Sequence, residues 1–211
     1  MIAARRVALL LLMSGCCALI YQTVWLREFR LIFGASTTAS AAVLAIFMGG
    51  LGFGGIFLGR KVERSPRPLE TYALMEFAIA ALAAVSPLLL DLVRAIYLAS
   101  GGSEALGMGL ATALRLVLSV VVLGPAVLLM GGTLPAAARA VTQAQDASRL
   151  GLALLYGLNT LGAVLGVLAS TFFLFEFLGF RSTLWTACLV NVLVALLARS
   201  WARAAPPLPS A

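Results

Sequence analysis

The stretch Val7–Gly34, "VALLLLMSGCCALIYQTVWLREFRLIFG", decides how the rest of the chain is read. Its first fourteen residues carry no charge. The next ten bring two arginines, a glutamate, a glutamine, a tyrosine and a tryptophan, and the run then returns to "LIFG". Twenty apolar helical residues are about what a hydrocarbon core of ~30 Å requires. The stretch is long enough to cross, and its polar half has to be explained inside or at the edge of a bilayer.

The whole chain repeats this character. Of 211 residues, 62% are hydrophobic and 11% charged, with a mean hydropathy of +1.06, whereas soluble domains carry about 25% charged residues. Too little polar surface exists to cover a water-soluble body, so the sequence reads as an all-α, polytopic membrane bundle. The net charge of +7 comes with no basic helix or aromatic–basic patch of the kind that grips nucleic acid, and no nucleic-acid partner is expected. No histidine is present, which excludes Ser-His triads, His-ligated metals and imidazole acid–base chemistry. Cys16, Cys17 and Cys188 match no metal spacing and read as small core residues. No cofactor or metal is implied.

Six apolar segments are long enough to span: 7–33, 38–59, 69–98, 109–138, 150–178 and 182–199. They form one transmembrane domain over residues 1–203, followed by a disordered Pro-rich tail at 204–211. Threading them alternately puts Arg5, Arg6, Arg60, Lys61, Arg64, Arg67, Arg139, Arg149, Arg199 and Arg203 on one side, which is the cytoplasmic side by the positive-inside rule. Both termini are then cytoplasmic. A competing reading treats "MIAARRVALLLLMSGC" as a lipoprotein signal ending at Cys16. The apolar run continues past that cysteine, which favours the span.

Glycines four apart make flat helix faces that admit close backbone approach. Gly50, Gly54, Gly55 and Gly59 do so in the second segment, and Gly162 and Gly166 in the fifth. These read as packing residues. Their positions also suit a three-plus-three repeat, the unit within each half of a major-facilitator fold, in which segments one and four, and two and five, correspond.

Polar side chains at depth are the candidate site. Ionisable groups within a span cost about 2.5–3.5 kcal/mol on insertion scales and are expected to face protein or water. Tyr21, Gln22, Glu28, Glu76, Arg115 and Asn159 are the candidate substrate-binding residues. Spacings of four and three place Tyr21, Trp25 and Glu28 on one helix face. Trp25, Arg27 and Arg30 are expected in a headgroup belt, Asp91 to pair with Arg94 on its own helix, Arg115 to pair with Glu28, and Asn191 to bond between helices. Glu176 is expected at the outer interface. No nucleophile–base pair or paired acids form a catalytic constellation.

Five blocks carry a family resemblance: "SGCCALIYQTVWLREFRLIFG", "FMGGLGFGGIFLGRKVER", "LLMGGTLPAAARA", "YGLNTLGAVLG" and "LFEFLGFRSTL". In content and order the chain resembles, over nearly all of residues 10–199, the membrane part of the fused major-facilitator/spermidine-synthase-like proteins of bacteria. The resemblance implies a location in the bacterial inner membrane and a transporter-like module for a small polar solute, with a polyamine or related amine as the implied class. It also implies a cytoplasmic aminopropyltransferase-like domain, of which residues 1–211 hold nothing, so that domain's catalytic residues have no positions here. A half-size module is expected to work as a homodimer. The alternative is a non-transporting anchor or regulatory subunit for a separate synthase-like enzyme.

Overall fold

The computed structural model describes residues 4–34, 36–141 and 149–204. All regular structure among the described residues is helical: α1 (Ala4–Phe33), α2 (Thr37–Glu63), α3 (Pro68–Ala99), α4 (Gly102–Val141), α5 (Arg149–Ala169) and α6 (Phe175–Ala204), with a π-helical turn at Ser170–Leu174 joining the last two. By length and composition five helical runs can cross a membrane. The fifth is the 55-residue run Leu150–Ala204. The chain is a multi-pass membrane protein.

Local chemistry sets the boundaries. Pro68 opens α3, where a missing N–H costs nothing. Gly107 (φ 73°, ψ 167°) breaks α4 near its start, so the long rod begins just after it. Gly179 (φ 73°, ψ 175°) interrupts the last run in the same way. A positive φ is open to glycine at little cost, and the Thr183 hydroxyl donates to the freed Leu174 and Gly179 carbonyls at 3.1 and 2.7 Å. The run therefore bends there, and its two parts pack on different helices, α5 on α1 and α6 on α3. At the far end α6 continues to Ala204, five residues beyond the expected limit at 199. Residues 205–211 of the expected tail lie outside the described residues.

Val7 of α1, Val62 of α2, Leu69 of α3, Ala137 of α4, Leu155 of α5 and Ala198 of α6 share one buried apolar cluster. The beginnings of α1, α3 and α5 thus meet the ends of α2, α4 and α6, and consecutive helices run in alternating directions. Arg6, 5.9 Å from the Trp201 ring centroid, ties the two chain ends at that pole. A second cluster, with Trp25, Phe29, Phe33 and Tyr97, fills the opposite pole.

Lipid tails offer no hydrophobic drive for helix association, so close packing has to supply it. Gly54 lies so near the Leu128 carbonyl that an added methyl would overlap it, and Gly162 meets the Leu12 carbonyl in the same way. Gly50 abuts Val127, Gly55 and Gly59 make ordinary contacts with Gly131 and Pro135, and Gly166 sits on the Cys16 carbonyl. These contacts clamp α2 to α4 and α5 to α1. Among the described residues α2 and α5 do not touch each other.

Candidate functional site

Between the two apolar poles lies a polar layer. Glu76 is completely buried. Ser14 on α1 donates to its Oε1 at 2.6 Å, and Asn191 on α6 donates to its Oε2 at 2.8 Å and to its backbone carbonyl at 2.9 Å. Asn191 thus makes the interhelical bond expected of it. The Tyr72 hydroxyl, one turn earlier on α3, is turned toward this carboxyl and Ser14 without a hydrogen bond of normal geometry. No ion pair joins Glu76 to a basic side chain among the described residues.

A cavity of about 420 Å³ opens beside Glu76, within the range of small-ligand sites. Its polar lining comes from Ser14, Tyr21, Glu76, Thr133, Asn159 and Asn191. Leu51, Ile79 and Met130 contribute apolar wall. Gly52 and Ile56 of α2 line it while also exposed at the bundle surface, and Asn159 of α5 lies across from them. The mouth therefore lies between α2 and α5, the two helices that make no contact. The Tyr21 hydroxyl is buried against Cys188 without a hydrogen bond of normal geometry.

Of the six expected site residues, the fold brings Tyr21, Glu76 and Asn159 to this cavity. Gln22 is buried nearby on α1 with its Oε1 unpartnered, but it is not part of the lining. Glu28 and Arg115 lie elsewhere. Glu28 borders a separate small void with Ser86, Asp91 and Arg181. Arg115 is not paired with Glu28: its guanidinium donates to the Tyr97 hydroxyl, through Nε at 2.9 Å and also through Nη2. Tyr97 is available because α3 and α4 are packed neighbours.

Two further expectations are corrected. Trp25 is no headgroup residue. It is 1% exposed, stacks on Tyr21 and donates its indole N–H to Ser86 Oγ at 2.9 Å. A buried acceptor on α3 satisfies the one polar atom that would otherwise hold the ring at the interface. Asp91 does not pair with Arg94. It accepts two bonds from Arg181 of α6, at 3.0 and 3.1 Å, because the bend at Gly179 delivers Arg181 to that end of α3. Arg27 is exposed, its guanidinium 3.9 Å over the Phe180 ring.

Comparison with known proteins gives no relative. No protein-family model matches the chain, and no curated protein or solved structure matches it. Ser14, Thr133 and Asn191 are polar lining residues outside the expected site; Asn191 is expected only to bond between helices, and Ser14 and Thr133 are not singled out by sequence. Ser14 and Thr133 are small hydroxyls in the middle of apolar runs, and that isolation was the available signal.

Proposed function

We propose that the chain is a six-span membrane module that binds a small polar solute at mid-depth, with both termini on the cytoplasmic side. The observation that carries this reading is the cavity beside Glu76, walled by five polar side chains besides that acid. Buried polar groups are costly in a bilayer and commonly mark a pathway or site. The bend at Gly179 supports six crossings rather than five. A straight run of 55 residues would extend about 80 Å, far beyond the bilayer, and the alternation of helix directions suits a return.

Contact geometry also supports a three-plus-three repeat. Matching Gly54 to Gly162 and Leu128 to Leu12 turns the α2–α4 contact into the α5–α1 contact. The same register matches Leu51 to Asn159 and Gly131 to Gly15, and those pairs also meet, each glycine against the partner's carbonyl. The bacterial family resemblance, with its half-size transporter-like unit, accords with this.

Asn159 at this sideways mouth needs protein or water as a partner, because hydrocarbon satisfies no hydrogen bond. We assign that role to a second copy: between residues 40 and 59 of α2, and between 150 and 169 of α5, no charged side chain stands in the way of an apolar interface.

The test is a ligand screen by thermal stabilisation in nanodiscs, repeated on Gly52→Phe. Position 52 lines the cavity at its exposed rim, and a Cβ there meets nothing within 4 Å, so a ring is placed beside the mouth without breaking a helix contact. Solutes that stabilise the wild type and not Gly52→Phe support the reading. A screen over charged, neutral and zwitterionic solutes in which no compound distinguishes the two proteins refutes it. An enzyme subunit that co-purifies in place of a second copy supports the anchoring alternative.

A further inference from the structure

We propose that the seam between α3 and α6, at the pole where the two chain ends meet, seats one zwitterionic phospholipid. Its headgroup ends in a primary ammonium, as in the phosphatidylethanolamine class. This site is separate from the cavity between α2 and α5 and does not rest on it.

The packed pair α3 and α6 leaves a surface pocket of about 120 Å³, lined by Glu70, Ala73, Leu74 and Phe77 of α3 and Arg199 of α6. Its depth follows from its elements. Pro68 opens α3 two residues before Glu70, and α6 ends five residues beyond Arg199. Both charges therefore stand in end turns, where a spanning helix passes from hydrocarbon to headgroups. Leu74 and Phe77 follow Glu70 at spacings of four and three, on one face of α3 and deeper toward the bilayer centre. Leu74 is 69% exposed, so this face is open to lipid. The pocket is charged at its outer end and apolar at its inner end, which is the polarity order of a phospholipid.

The two charges select the headgroup. Glu70 and Arg199 line one pocket with opposite sign, yet no ion pair joins them. The Glu70 carboxylate meets Arg67 at 3.4 Å, with both side chains about half exposed. Arg199 makes no hydrogen bond or ion pair among the described residues. A gap between two unlike charges suits one group that carries both. An ammonium donates to Glu70 while the phosphate, two carbons away, accepts from the Arg199 guanidinium. A glycerol headgroup brings negative charge alone and is repelled by Glu70. A choline headgroup is zwitterionic but has no N–H to donate. One acyl chain then lies along Leu74 and Phe77, and the selectivity stays with the charges.

Native mass spectrometry of the purified chain, titrated with dioleoyl lipids that differ only in headgroup, reads the lipid retained. Ethanolamine lipid is expected to be retained about two- to fivefold over choline and glycerol lipids, the upper range for an exposed ion pair. Glu70→Gln is expected to erase the preference over choline lipid, and Arg199→Gln to lower retention of both. Glu63→Gln, an exposed acid at the end of α2, is expected to change nothing. The wild-type headgroup order stands as a test whether or not a variant folds. Equal retention of the three headgroups, preference for glycerol lipid, a folded Glu70→Gln that keeps the wild-type order, or the same loss in Glu63→Gln each overturn the proposal. Displacement of the lipid by water-soluble phosphoethanolamine at matched concentration overturns the assignment to a membrane lipid.

Discussion

One substitution made twice on α5 tests the packing directly. At Gly162 a methyl group would overlap the carbonyl oxygen, carbonyl carbon and Cα of Leu12, whereas at Gly157, five residues earlier, it meets nothing within 4 Å. The obstacle at Gly162 is backbone, so no rotamer change relieves it. α5 has to move off α1, and the neighbouring contact of Gly166 with Cys16 opens with it. Overpacking of this kind costs ~1–3 kcal/mol. At Gly157 only the intrinsic preference of a helix for alanine over glycine acts, a gain of ~1 kcal/mol. Gly162→Ala shares that gain, so the two variants are expected to differ by the overpacking cost alone, ~1–3 kcal/mol, about 5- to 150-fold in the unfolding equilibrium. Reversible unfolding in mixed micelles, followed by far-ultraviolet circular dichroism, measures both. The matched pair on α2, Gly54→Ala against Gly49→Ala, is expected to split the same way, since Gly54 meets the Leu128 backbone and Gly49 meets nothing. If Gly162→Ala is as stable as Gly157→Ala, the close approach of α5 to α1 is wrong, and the register of the proposed repeat goes with it.

Three other outcomes follow from particular bonds. Asn191→Leu strips Glu76 of two donated hydrogen bonds and is expected to lower unfolding stability by ~1–3 kcal/mol in the same micelle assay. Trp25→Phe loses the bond to Ser86, expected to cost about 0.6 kcal/mol as membrane interhelical bonds average. The emission it removes is expected to be blue-shifted and resistant to aqueous quencher, which an interfacial Trp25 would contradict. Asp91→Asn breaks the bridge to Arg181, whose side chains are 57% and 64% exposed. A double-mutant cycle is expected to give a coupling of ~0–1 kcal/mol, and a value well above that would mean the pair is shielded from water.

Hydropathy made the helical class legible, because runs of about twenty apolar residues have few other destinations. Gly54 and Gly162 were legible as packing residues, since four-residue spacing defines a face whatever the neighbour. Glu76 stood out as an acid two turns into an apolar segment. What remained hidden was each polar group's partner. Periodicity says which residues share a face of one helix, and nothing in it says which helix that face meets. Asp91 and Arg94 have good local spacing, yet Arg181, ninety positions away in sequence, takes the bond. Arg115 needed a partner and found a tyrosine hydroxyl on the adjacent helix instead of an acid. Trp25 has belt-like neighbours in Arg27, Glu28 and Arg30, and only the placement of Ser86 on α3 lets it turn inward.

Packing and candidate function have a common origin in two helices. α2 turns Gly50 and Gly54 to α4, while Gly52, on the opposite face, lies at the exposed rim of the cavity. α5 does likewise: Gly162 and Gly166 meet α1, while Asn159 presses its carbonyl on Gly15 and lines the cavity. Because each of these helices is clamped along one side to a different partner, the two are held apart, and the gap between them is the mouth. Small residues thus fix the width of the opening as well as the strength of the contact. A larger side chain at Gly15 meets the Asn159 backbone carbonyl, so it would push α5 off α1 and displace Asn159 at the cavity with it. A site built in this way needs no charged scaffold around it, and Glu76 is the one acid lining the cavity among the described residues.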